Sequence, residues 1–189
     1  MTVDEFWDFC QQDENRDLNC ELLRGEIVHL KRNTHLQGFV CGKLAYHLGT
    51  YQARGITGYT VGGGAGLILS REPATVVGPH VAYYPPVSSY KDIPDRWSDK
   101  LPLLAMEVAA STDDLRRLES KIPQYLEAGV PCVWVLNPEE NSVIVYRSGL
   151  RPDHLKGFEE LTGGDELPGF SCPVAHIYML PSELSAVGA

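Results

Sequence analysis

The chain has 189 residues, 43% of them hydrophobic and 22% charged, proportions that exclude wholesale disorder and suit one domain with a real core. Its 16 Lys+Arg against 25 Asp+Glu leave a net charge of -9, which opposes sequence-independent adhesion to nucleic acid or to an anionic membrane. Any nucleic-acid contact must therefore be local.

In chain order, Thr2 and Glu5 have the spacing of a capping box ahead of a short helix with Phe6, Trp7 and Phe9 for packing. Cys20 to Leu30 reads as a β-hairpin turning at Arg24-Gly25. From Thr34 to about Arg54, apolar residues at helical spacing predict the longest helix, with Gly55 as its terminator. Short segments at Tyr59–Val61, Gly66–Ser70, Thr75–Val77 and His80–Tyr84 read as consecutive strands. A proline-punctuated loop, 85–102, precedes an apolar strand at 103–110. The polar turn 111–114 leads into a helix with Leu115, Leu118, Ile122, Tyr125 and Leu126 on its buried face. Pro123 predicts that this helix restarts near Ser120, and Gly129 ends it. A buried strand, Val130 to Leu136, and a hairpin partner, Ser142 to Arg147, come next.

The strand, helix and strand from Leu103 to Leu136 form a β-α-β crossover, while the other strands are hairpin-linked. That mixture predicts an α/β fold with a mixed central β-sheet flanked by helices. The domain is expected to span residues 1–180, with 181–189 a flexible tail. No apolar run approaches the roughly 18–20 residues needed to cross a bilayer, and the first residues lack a signal-like pattern, so a cytoplasmic protein without membrane partners is expected. Cysteines 10, 20, 41, 132 and 172 form no C-x-x-C pair and read as reduced thiols, with Cys132 a small buried hydrophobe.

One residue does not fit its surroundings. Glu107 interrupts the apolar run at 103–110, and burying an unpaired carboxylate costs several kcal/mol, roughly, so it calls for a partner. His80 and Lys121 are the candidates. The same residues also have plainer readings: Glu107 capped by Lys121 without a metal, Lys121 as a solvated helix lysine, His80 as a hydrogen-bond partner of Glu107 or a neutral filler, and Glu21 and Glu26 as hairpin surface charges. His35 reads as a surface histidine. The run Gly62 to Gly66 lacks a Gly-Lys-Ser/Thr ending and leads into a strand, so it reads as a turn or bulge and not a phosphate loop. Lys31-Arg32 and Arg116-Arg117 either flank a groove or lie on solvated surface. No Ser, His and Asp set has supporting spacing.

From Thr2 to Leu180 the chain resembles the Uma-type restriction-endonuclease family, a branch of the PD-(D/E)xK nuclease superfamily. The most specific stretch runs from Lys121 to Pro138 and includes Pro123; Glu21 to Glu26, Gly66 to Ser70, Glu107-Val108 and Leu167 to Phe170 support it. The resemblance implies a restriction-endonuclease-like fold, a homodimer, and a divalent metal, Mg²⁺ or Mn²⁺, held by carboxylates for DNA phosphodiester hydrolysis. It assigns Glu107, Lys121 and Glu21 as catalytic residues. Glu107, Glu21 and the residue at position 80 are the implied metal ligands, and Lys121 takes the role of the superfamily lysine, which usually lies where Ala109 stands. Two positions depart from the pattern. His80 stands where the family has Asp, and Ala110-Ser111 replaces Ser-Pro. A neutral imidazole supplies one nitrogen and no charge, so it suits Zn²⁺ or Mn²⁺ and weakens Mg²⁺ binding. Two functions follow: a metal-dependent endonuclease impaired at His80, or a catalytically inactive nuclease-like binding or assembly module.

Overall fold

Thr2 opens helix α1 (Val3–Gln11) through a reciprocal capping box with Glu5, and the helix buries Val3 and Phe6. The structure is a computed structural model and describes residues 1–109 and 111–187, so the Ala110 half of the altered Ala110-Ser111 turn lies outside the described residues. Strands β1 (Cys20–Leu23) and β2 (Glu26–His29) form an antiparallel hairpin. Its turn residues Arg24 and Gly25 have φ of 50° and 83°, the doubly positive combination that matches strand twist in two-residue hairpins. A second capping box, Thr34 with Gln37, starts helix α2 (His35–Gln52).

Strands β3 (Tyr59–Gly62), β4 (Leu67–Arg71), β5 (Ala74–Val77), β6 (Val81–Tyr84) and β7 (Leu104–Val108) follow, then helix α3 (Thr112–Ala128) and strands β8 (Cys132–Asn137) and β9 (Ser142–Arg147). The remaining elements are β10 (Asp153–Lys156), β11 (Glu160–Thr162), β12 (Ser171–Pro173), α4 (Val174–Tyr178) and α5 (Pro181–Val187), the last lying in the segment read from sequence as a tail. No helix among the described residues is long and apolar enough to cross a membrane.

The strands divide between a six-stranded mixed sheet, ordered β10-β9-β8-β7-β6-β3, and a four-stranded sheet, β2-β1-β5-β4, with β11 and β12 pairing separately. The expected single sheet is thus two larger ones. The cause is that β3 pairs directly with β6, Tyr59 opposite Tyr84, which leaves the intervening β4–β5 hairpin no place in the central sheet. It pairs with β1 instead. The glycine run carries the chain out of the central sheet, with Gly63 and Gly64 at φ of 78° and 70°, and Gly78 marks its return. These two crossings touch: a Cβ on Gly78 would lie 2.6 Å from the Gly64 carbonyl oxygen.

Strand β7 sorts its side chains by alternation. Leu104, Met106 and Val108 join the core under α2, with Val40, Leu44, Leu48 and Tyr51. Ala105 and Ala109 face the opposite core, with Leu118, Ile122 and Tyr125 of α3. Glu107 shares that second face. Helix α3 does not restart at Ser120; it runs through Pro123 and ends at Gly129, whose φ is 103°. Proline removes one backbone hydrogen bond, but burial of Leu118, Lys121, Ile122 and Tyr125 holds both turns against the sheet.

Replacing Gly78 by Ala forces the Gly64 backbone to move and is expected to destabilise the fold by about 1–3 kcal/mol. Denaturant unfolding with an unchanged m-value and a lower midpoint is the expected readout.

A buried ion network at the junction of two sheets

Glu107 lies one residue from the carboxyl end of β7, where β6 is its antiparallel neighbour. Val81 pairs with Met106, so the register continues to place His80 opposite Glu107. The His80 Nδ1 to Glu107 Oε2 distance is 2.5 Å. From the α3 side, Lys121 and Tyr125 are four residues apart and therefore share a helix face. Lys121 Nζ donates to Glu107 Oε1 at 2.6 Å, and the Tyr125 hydroxyl donates to the same oxygen at 2.6 Å.

The smaller sheet supplies the second acid. Glu21 on β1 accepts Lys121 Nζ at 2.6 Å and the Gly78 amide at 2.7 Å, both on Oε1. Its Oε2 is buried without a hydrogen-bond partner. Glu21, Glu107 and Lys121 are 3%, 1% and 2% exposed, so their charges are compensated by one another far more than by water. Helix α2 closes the end of β7, where Gln37 Nε2 donates to the Val108 carbonyl at 2.9 Å.

Burial by itself would raise the Glu107 carboxyl pKa, but Lys121 and His80 outweigh it and hold the group well below the usual carboxylate range. The same balance works in reverse on Lys121. Burial lowers its ammonium pKa, while Glu107 and Glu21 more than offset that and raise it. Burial and the two carboxylates push the Tyr125 hydroxyl well above its ordinary value, which keeps it a donor. With Glu107 ionised, the short contact requires the proton on His80 Nδ1, so the 3.4 Å approach of the Val108 amide to that nitrogen is a contact and not a second hydrogen bond.

Glu107, Lys121, Glu21 and His80, separated widely in sequence, converge on one cleft of about 460 Å³. Lys31, Arg32 and Arg117 line it too, whereas Glu26 is exposed on β2 and does not. Sequence reading placed Tyr125 only among core residues. The usable signal was its position one turn after Lys121.

A divalent ion is not well served by this donor set. Both oxygens of Glu107 are already engaged, and His80 commits its Nδ1 to that same carboxylate. Among the described residues no three His, Cys, Asp or Glu side chains are arranged to share an ion. Glu21 Oε2, which has no hydrogen-bond partner, and Nε2 of His80 are what the four residues leave over.

The profile of the Uma2 family, described as "putative restriction endonuclease", matches residues 3–175. The chain belongs to the Uma2 family. A solved structure described as "a putative nuclease belonging to DUF820", from Anabaena variabilis ATCC 29413, superposes with a TM-score of 0.77 at 12% identity, covering 94% of this chain and 97% of that one. This Uma2 chain therefore has a restriction-endonuclease-like fold. It matches no curated protein.

Lys121 neutralises two buried carboxylates, so Lys121→Met is expected to cost about 3–5 kcal/mol, read by denaturant unfolding near neutral pH. The pH dependence has a defined sign. A depressed Glu107 pKa gives stability that is present above its unfolded value near 4.5 and lost as pH falls through the folded value. A raised Lys121 pKa gives stability that is full below 10.5 and lost as pH climbs above it. Glu107→Gln should flatten the acid limb, measured as unfolding free energy against pH.

Proposed function

We propose that this protein is a restriction-endonuclease-type DNA phosphodiesterase whose metal-dependent cleavage is impaired by His80. The observation that carries the reading is the direct His80 to Glu107 contact at 2.5 Å, made where the family pattern expects a carboxylate pair. An aspartate at position 80 would repel Glu107 and invite a cation between them. A histidine donates to Glu107 and removes that demand. Family membership and fold support the nuclease class, and DNA is the substrate that class implies.

The chain's own residues retain the parts of the chemistry that do not depend on position 80. Lys121, held by two carboxylates, is a fixed cation suited to orienting a water or countering charge on a phosphate oxygen. Tyr125 fixes the carboxylate of Glu107. Lys31, Arg32 and Arg117 give the cleft rim positive side chains on an otherwise acidic chain. That rim, beside a charge-compensated network, also supports a second reading, a catalytically inactive module that binds DNA locally. Salt-dependent binding would mark it.

Cleavage of plasmid and single-stranded DNA in Mg²⁺ and in Mn²⁺ tests both. His80→Asp is expected to raise cleavage by at least about 10–100-fold, the cost of disturbing even an outer partner of a metal site. Added Glu107→Ala or Lys121→Ala should abolish the gain. Wild-type protein cleaving with Mg²⁺ as fast as His80→Asp would overturn the impaired-site reading. Absence of cleavage in both, with salt-sensitive DNA binding lost in Lys31→Ala/Arg32→Ala, would establish the binding module instead.

A further inference from the structure

Phe6 and Trp97 line the cleft beside the ion network. Trp97 comes from the proline-punctuated loop between β6 and β7, and the segment around it is fastened to its neighbours. Ser98 bridges to the start of β4, its amide donating to the Gly66 carbonyl at 3.0 Å and its carbonyl accepting the Ile68 amide at 2.8 Å. Arg96 lies 4.4 Å from the centre of the Trp7 ring. The Trp97 indole meets Trp7 of α1 edge-on, with centroids 5.0 Å apart, and its centroid is 5.1 Å from that of Phe6. Position 66 must lack a side chain for the indole to sit there, since a Cβ on Gly66 would lie 2.1 Å from Trp97 Cδ1. Trp97 nevertheless keeps part of its surface exposed.

We propose that the cleft binds an unpaired DNA strand, with a nucleobase packed against the Trp97 indole and the adjoining phosphates met by Lys31 and Arg32. This rests on the nucleic-acid reading given above and narrows it to a substrate class.

Three features carry it. The cleft volume of about 460 Å³ falls in the ~300–1,000 Å³ range of pockets that enclose one small ligand, the scale of a nucleotide unit and not of a duplex. Its lining joins an aromatic ring to the exposed cations Lys31 and Arg32, the combination that holds single strands, base on ring and phosphate on cation. In a duplex the faces of a base are covered by its neighbours in the stack, so an indole on the cleft wall serves only a strand whose bases are free. The bonds at Ser98 and the gap at Gly66 fix the ring before a ligand arrives, which spares the entropy of ordering it. Every base has a π face, so such a site selects strandedness and not sequence.

The test measures binding of the full chain by fluorescence anisotropy, at one salt concentration and without divalent metal. The probes are a labelled oligodeoxythymidine, a strand of the same length built from abasic units, and a blunt duplex of that length. Loss of the bases is expected to weaken binding by about 5–150-fold for each base stacked, and the duplex should bind more weakly than the oligodeoxythymidine. In Trp97→Ala the oligodeoxythymidine should fall to the level of the abasic strand, whose own binding stays unchanged, while Trp97→Phe should keep most of the difference. Lys31→Ala/Arg32→Ala should weaken both single strands alike. Equal binding of the two single strands by wild-type protein, tighter binding of the duplex, or a Trp97→Ala protein that keeps the difference and loses only melting temperature would overturn this proposal and leave the nucleic-acid reading standing. Binding of none of the three probes overturns both. If Trp97→Ala fails to fold, the wild-type comparison decides, together with quenching of tryptophan fluorescence by the oligodeoxythymidine and not by the abasic strand.

Discussion

The ammonium of Lys121 is the interaction on which the rest of the arrangement depends. It is buried between Glu21 and Glu107, one from each large sheet, and it comes from the helix that packs over their junction. Three desolvated charges are tolerable only together, because each pays a large solvation penalty that the others offset. The position of α3 along the sheet, the register of β6 on β7 and the return of the chain at Gly78 all serve that one cation. Gly78 does so twice, through its amide on Glu21 and through its lack of a Cβ beside Gly64.

Strength and specificity separate in such a network. Hydrophobic alternation along β7 supplies most of the driving force for docking α2 and α3 on opposite faces. The ions add little net stability relative to well-packed apolar residues, yet they make misplacement of α3 expensive, since a shift would strand two carboxylates. Tyr125 reinforces this from the same helix face, with its ring 5.5 Å from Lys121 Nζ and its hydroxyl on Glu107.

His80 fills the cross-strand position beside Glu107 from within the sheet. An acid and an imidazole opposite Glu107 differ in the sign of their effect on that carboxylate. The imidazole donates a hydrogen bond and helps keep Glu107 ionised, so both oxygens of Glu107 are satisfied from within. Glu21 Oε2 is the one oxygen of the two carboxylates without a hydrogen-bond partner.

Much of this was legible in the chain by itself. The capping box at Thr2, the long helix starting at Thr34, the Arg24-Gly25 turn, the β-α-β crossover from β7 to β8 and the anomaly of Glu107 in an apolar strand are local patterns, and local stereochemistry and periodicity determine them. His80 and Lys121 were already candidate partners of Glu107, and resemblance added Glu21 and the implied metal and catalytic roles. Continuity of α3 through Pro123 was not legible, because packing of its buried face outweighed a local penalty. Nor was the division into two sheets, since it follows from which strands are neighbours: β3 took β6 and displaced the hairpin between them. Only the tertiary structure decided that one ammonium serves two carboxylates, that His80 donates to Glu107 and that the Tyr125 hydroxyl reaches Glu107. Those are distances between residues far apart in sequence, set by register and helix placement that no local pattern encodes.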